Sequence, residues 1–331
     1  MWASTRAESS RQSEIEGGKG SGPPRSRERL SALLSRPIAV LLKLFPGRII
    51  EDGALRCAKA LAHRKMQTLR NHPKTSFFSN ERALAVLLQL LVVTAGLALP
   101  LHARERVTLT ASDGVKVYAD FYPAASHSQP YILLFHQAGS NRAEYAPIAP
   151  RLVKLGFNCL AIDQRSGGDL WGQQNETVRH VGHNGEYSEV LKDMEAALVW
   201  ARSSANNGKI LVWGSSYSAA LVFLLAAEHH EEVDAVLGFS PNEYLGAPHA
   251  VHVAAAKVTV PIFVTSAKDA DEISAAKSIL AVAPARQKTQ FVPQIAGVHG
   301  SSTLREDRNR AGESENWRAA EAFLATFRPK V

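Results

Sequence analysis

Two kinds of apolar pattern divide the chain from Arg106 onward. Val107 to Thr110 and Val115 to Phe121 read as an extended pair with Ser112-Asp113-Gly114 as the turn between them. Further on, the apolar residues gather into short unbroken runs: Tyr131 to Phe135, Phe157 to Ile162, Ile210 to Trp213, Val233 to Phe239 and Pro261 to Thr265. Runs of this length without polar alternation predict strands covered on both faces. Between them, helical spacing appears at Glu144 to Leu155, Tyr187 to Arg202, Ser216 to Glu228, Asp271 to Val282 and Trp317 to Phe327. Strand and helix in alternation predict an α/β fold with a mostly parallel central sheet and helices on both faces. No internal repeat is present.

The polar residues with chemical capacity fall just after the predicted strands, where open α/β sheets bind ligands. His136-Gln137-Ala138-Gly139-Ser140 follows one strand and Asp163 to Gly168 the next. Gly214-Ser215-Ser216-Tyr217-Ser218 follows the third, and Ser266-Ala267-Lys268-Asp269 a later one. Gly297-Val298-His299-Gly300 comes after an expected strand around Thr289 to Val292.

Ser216 stands at the apex of a strand, a sharp turn and a helix, with small residues at Gly214 and Ser218. Helix capping alone would not require those small neighbours; a strained turn presenting a nucleophilic hydroxyl does. Ser218 departs from the G-x-S-x-G pattern, which has glycine there. A serine hydroxyl is a weak nucleophile until a histidine takes its proton and a carboxylate orients the histidine. Ser216, Asp269 and His299 supply these three in that chain order. Asp271 is a rival to Asp269, although it is also placed to cap the following helix.

With these strands and this order, residues 104–331 resemble the alpha/beta-hydrolase superfamily, in its small esterase and dienelactone-hydrolase-like branch. The resemblance implies an acyl-serine mechanism with Ser216 as nucleophile, Asp269 as acid and His299 as base. It also implies an oxyanion hole made by the backbone N–H groups of Tyr217 and Ala138, with Gln137 as the alternative to Ala138. His136 is expected to order its loop rather than titrate. No metal or organic cofactor is implied, and the partner is a small ester or acyl substrate. Only about 20 residues separate the strand ending at Phe239 from the one starting at Pro261, too few for a large cap domain. A hydrolase-fold binding protein without turnover and a small serine peptidase are the alternatives.

Other residues have plainer readings. His180 and His183 lie three apart in the polar stretch 172–185, but no acidic or thiol group completes a ligand set, and a long irregular loop over the site is expected. Trp171 and Tyr244 are candidate pocket walls. Cys159, within an apolar run, is expected as a buried thiol.

Charge separates the N-terminal third from the rest. Residues 1–103 carry 16 Lys and Arg against 7 Asp and Glu, and residues 104–331 carry 22 against 24. The basic character therefore belongs to the leader, and net charge gives the remainder no support as a nucleic-acid binder. Arg70, Lys74 and Arg82 precede an apolar run from Ala83 to Leu101, followed by Ala103. Residues 66–103 are thus expected to be a signal peptide or an N-terminal membrane anchor, making 104–331 an exported catalytic domain, periplasmic or secreted. Residues 1–65 are expected to be disordered or a start-site artefact, with Met66 as the start.

Overall fold

A computed structural model describes residues 104–328 apart from 206 and 207. The expectations for the leader, residues 1–103, lie outside the described residues. Among the described residues, no helix is long and apolar enough to cross a membrane.

Eight strands form one sheet in the order β1-β2-β4-β3-β5-β6-β7-β8. β1 (Glu105–Thr110), β2 (Lys116–Tyr122), β3 (Tyr131–Phe135) and β4 (Asn158–Ile162) make one half. β5 (Ile210–Ser215), β6 (Ala235–Phe239), β7 (Ile262–Thr265) and β8 (Lys288–Phe291) make the other. β1 and β2 pair antiparallel, as do β2 and β4, while the pairs from β4 through β3 to β8 are parallel. The sheet is therefore mostly parallel, as the apolar runs predict. Every residue of β3, β4, β5, β6 and β7 is buried.

Helices α1 (Ala149–Lys154), α2 (Glu176–Val181), α3 (Tyr187–Ser204), α4 (Tyr217–Glu228), α5 (Ala250–Ala255), α6 (Ala270–Val282) and α7 (Glu313–Leu324) complete the main framework. Alternate side chains of β3 enter opposite cores, because successive strand residues point to opposite faces. Leu133 and Phe135 join Val190, Met194, Leu221 and Phe223 from α3 and α4. Ile132 and Leu134 join Leu152 of α1 with Trp317 and Phe323 of α7. Covering both faces excludes water from the sheet while leaving its polar strand ends free to build a site.

Two helices escape the periodicity reading. α5 is a short helix after β6, and α2 lies inside the stretch expected to be irregular. Asn175 caps α2 by accepting from Val178 N at 2.8 Å, and Gly182 ends it at φ 88°. Thr177 accepts a hydrogen bond from Tyr118 N of β2 at 3.1 Å, so α2 docks on the sheet. Local caps and this docking stabilise a six-residue helix that propensity alone would leave marginal.

A buried ionic cluster fixes the ends of β2 and β4 around the loop after β3. Arg142 contacts Asp163, lies 3.2 Å from Asp120 and 3.1 Å from Glu176. Asp163 also accepts from Arg142 N and Glu176 N. Burial raises the Asp163 carboxyl to about 6 despite the guanidinium beside it.

Candidate active site

β5 delivers the chain into a turn that ordinary residues avoid. Ser216 sits at φ 55° and ψ −117°, directly before α4. Such strain in a non-glycine residue persists only where the surroundings hold it. Ser216 N donates to Phe239 O of β6 at 2.7 Å, anchoring the turn to the neighbouring strand. Gly214 is required by close approach, since a Cβ there would overlap the Ser218 carbonyl. Ser218, which replaces the pattern's glycine, is buried and donates its hydroxyl to His136 O at 2.6 Å. Gln164 Nε2 donates to the same hydroxyl at 3.0 Å. The altered position therefore joins the turn to the loops after β3 and β4.

His299 closes on Ser216 from the far end of the chain, with Nε2 2.6 Å from Ser216 Oγ. Its other ring nitrogen, Nδ1, lies 2.7 Å from Glu272 Oε1. The carboxylate on His299 is thus Glu272 rather than Asp269 or Asp271. Asp269 is the N-cap of α6, where its side chain accepts from Asp271 N and Glu272 N at 3.0 and 3.2 Å. The cap must lie at the helix start, whereas the first turn of α6 brings Glu272 toward the histidine. Asp269-x-x-Glu272 has the spacing of a capping box, a sequence signal that assigns the aspartate to the backbone.

Glu272 is held on its other side by Ala267 N, which donates to Oε2 at 2.9 Å. Burial would raise its carboxyl, but bonds from His299, Ser240 and Ala267 N outweigh this and lower it to about 2. The hydrogen bond to Glu272 raises His299 above its ordinary value, against an opposing desolvation effect. Ser240, which composition did not single out, also accepts from Gly300 N at 2.9 Å. Gly300 takes φ 67°, and a Cβ there would press on Ser215 Oγ. The chain thereby turns away immediately after presenting the histidine.

Tyr217 N and Ala138 N have no protein acceptor in the hydrogen-bond network of the described residues. Gln137 N, the alternative, donates to Glu144 Oε2 at 3.0 Å. Glu144 is buried and also accepts from Ser140 Oγ at 3.2 Å. Its engagement leaves Ala138, exposed on the same loop, with the free N–H.

His136 is fully enclosed, and burial lowers its pKa to about 4. Gln164 N donates to its Nε2 at 3.0 Å, so the neutral ring carries its proton on Nδ1 and donates to Gln137 O at 2.8 Å. It serves the loop, as expected. Cys159 is likewise a buried free thiol, raised far above its ordinary value by desolvation.

The two candidate walls separate. Tyr244 lines a cleft of about 340 Å³ with Tyr187, Tyr217, Glu186, Ser166 and Ala138. Trp171 does not line this cleft. Its indole N–H donates to Ser140 Oγ at 2.9 Å, and Arg305 stacks over its ring at 3.8 Å. The ring is engaged by Ser140 and Arg305 rather than by the residues that line the cleft, so the wall position predicted from loop order is not taken up. His180 is also used locally: its Nδ1 lies 2.7 Å from Glu176 O, and its ring faces Tyr118.

The family model of the serine aminopeptidases, S33, matches residues 126–288. A dienelactone hydrolase from Anabaena variabilis is 16% identical, with a TM-score of 0.54, over 69% of this chain and 100% of its own. An esterase from Pyrococcus furiosus is 19% identical, with a TM-score of 0.52, over 69% of this chain and 92% of its own. A dienelactone hydrolase described as putative, from Klebsiella pneumoniae, is 18% identical at a TM-score of 0.52, over 68% and 98% respectively.

Proposed function

The chain has the alpha/beta-hydrolase fold and resembles its dienelactone hydrolase and esterase members, and from that premise we propose that it is a serine hydrolase of carboxylic esters. The observation that carries this reading is the single histidine bridge from Ser216 to Glu272. In this reading His299 Nε2 accepts the Ser216 proton as Oγ attacks the ester carbonyl. Glu272 holds the ring with Nδ1 protonated and stabilises the imidazolium that forms. Negative charge developing on the carbonyl oxygen is received by Tyr217 N and Ala138 N, assisted by the positive end of α4. His299 then protonates the leaving alkoxide. It next removes a proton from water, which attacks the acyl-Ser216 carbonyl and releases the acid.

Thioesters and amides fit the same acyl-transfer chemistry, with the amide demanding stronger protonation of its leaving group. His299 is partly exposed, which suits substrates that do not require a deep tunnel. The leader is proposed to export the domain, on the strength of its basic segment followed by the apolar run Ala83 to Leu101. Cell fractionation with N-terminal sequencing of the product tests that part; full-length chain retained in the cytosol overturns it.

The mechanism is tested by treating the full chain with a fluorophosphonate and assaying a panel of p-nitrophenyl esters. Labelling at Ser216 with ester turnover is expected, both abolished in Ser216→Ala. Folded protein that neither labels nor turns over would instead favour a binding role.

A further inference from the structure

We propose that the cleft beside Ser216 selects substrates carrying a cationic group, of the ammonium class, near the scissile carbonyl. This rests on the ester-hydrolase reading for its consequence, while the binding preference itself comes from the wall chemistry. Tyr187, Tyr217 and Tyr244 supply three aromatic rings to one cleft, and Glu186 supplies its carboxylate. The Glu186 charge acts on the Tyr217 phenol, which burial first, and then Glu186 and Tyr187, hold well above the usual range. Tyr244 is also raised, by desolvation and then by the Glu272 charge. The Tyr217 and Tyr244 phenols are therefore neutral, and with the Tyr187 ring they place aromatic surface and hydroxyls beside the Glu186 carboxylate. A cation gains from both components, whereas an anion meets repulsion from the carboxylate.

Among the described residues, no lysine or arginine lines this cleft. The stem of Arg165 packs close to Gly185, one of the lining residues. Its charged end is already occupied by Asp113 at 2.7 and 3.0 Å and by Asp193 at 2.6 Å. Arg165 thus answers two carboxylates other than Glu186, whose side chain instead takes part in the capping box at the start of α3. Glu186 is exposed at the head of α3, where Glu189 Oε2 accepts its backbone N–H at 3.0 Å. Its side-chain charge can be removed without removing that backbone bond.

The position of the cleft links binding to chemistry. Tyr217 is the residue after the proposed nucleophile, and it lines the cleft together with Tyr244 and with Ala138, which carries the free loop N–H. A cation seated among the rings would therefore belong to the acyl or alcohol part closest to the ester. A neutral group of the same shape retains contact with the rings but loses the attraction of the carboxylate.

The test uses a matched ester pair and a binding probe that needs no turnover. Choline butyrate and 3,3-dimethylbutyl butyrate differ in the charge on one nearly isosteric group. The expected kcat/KM ratio is about tenfold or more in favour of the cation, falling several-fold in Glu186→Gln. Phenyltrimethylammonium, titrated calorimetrically into the full chain, is expected to bind more tightly to wild type than to Glu186→Gln, and more tightly to wild type than benzoate does. Equal turnover of the two esters, or equal affinity of wild type and variant for phenyltrimethylammonium, overturns the proposal. If neither ester turns over while the probe binds with the expected charge dependence, the cation site stands and the ester-hydrolase reading fails.

Discussion

Glu272 Oε1 lies 2.7 Å from His299 Nδ1, although Asp269, three residues earlier, holds the position that a Ser-acid-His order points to. The two acids divide the first turn of α6 between them. Asp269 satisfies backbone N–H groups, including that of Glu272, and Glu272 reaches the histidine. Replacing Glu272 by Gln is expected to lower kcat on the order of 10³- to 10⁴-fold, through loss of histidine orientation and imidazolium stabilisation. Asp269→Ala is expected to cost about 1 kcal/mol of stability as a lost cap while retaining most turnover. Ester kinetics and thermal melts of the two variants check both outcomes; an activity loss as deep in Asp269→Ala as in Glu272→Gln would refute this division.

The same pair sets a pH dependence. His299 acts as a base only when neutral, and its pKa is raised by Glu272, so the acid limb of kcat/KM is expected above 6.5. Glu272→Gln should move that limb to lower pH. For folding, the lowered Glu272 contributes stability that is present above its ordinary 4.5 and is lost as pH falls toward about 2. The raised His299 contributes stability that is fully present below 6.5 and is lost as pH rises through its folded value. The difference in melting temperature between wild type and Glu272→Gln should therefore peak between pH 4.5 and 6.5. A difference independent of pH would count against the ion pair.

Ser218 and Gly214 should respond differently to small changes. Ser218→Ala leaves the His136 carbonyl and the Gln164 side chain without their shared partner. A loss of about 1–3 kcal/mol is expected, with lower kcat as the oxyanion loop loosens. Gly214→Ala places a methyl against backbone and is expected to cost about 3 kcal/mol or more. Urea denaturation ranks them, and a Gly214→Ala protein as stable as wild type would contradict the close approach.

Arg142 is expected to be a stability residue. Its guanidinium faces Asp120, Asp163 and Glu176, and its removal strands buried carboxylates. Arg142→Ala should cost about 3–5 kcal/mol. Guanidinium chloride unfolding provides the measurement, and a change below 1 kcal/mol, small on the scale of about 0.5–3 kcal/mol for single substitutions, would show that the cluster contributes little.

Much of the fold was readable because its determinants are local or periodic. Five continuous apolar runs became buried strands, and the strained turn at Ser216 announced itself through small residues on either side. Tyr217 opens α4 directly after the turn and Ala138 lies on the loop after β3, where chain order placed them. α2 and α5 were not legible, since their short helices depend on docking and on caps rather than on an extended apolar stripe. Trp171 was misplaced for a related reason: its ring follows Arg305, 134 positions away in the chain.

What the sequence by itself determined is the alternation of buried strands and helices and the residue types delivered to the strand ends. It also placed a serine and a histidine in a workable order, because backbone conformation and apolar period are written in neighbouring residues. Which carboxylate meets the histidine, why Ser218 suits the turn, and how three tyrosines and Glu186 come to share one cleft were decided only by the tertiary structure. Those relationships depend on distances between side chains from separate loops, and a single helical turn, as between Asp269 and Glu272, changes which group arrives.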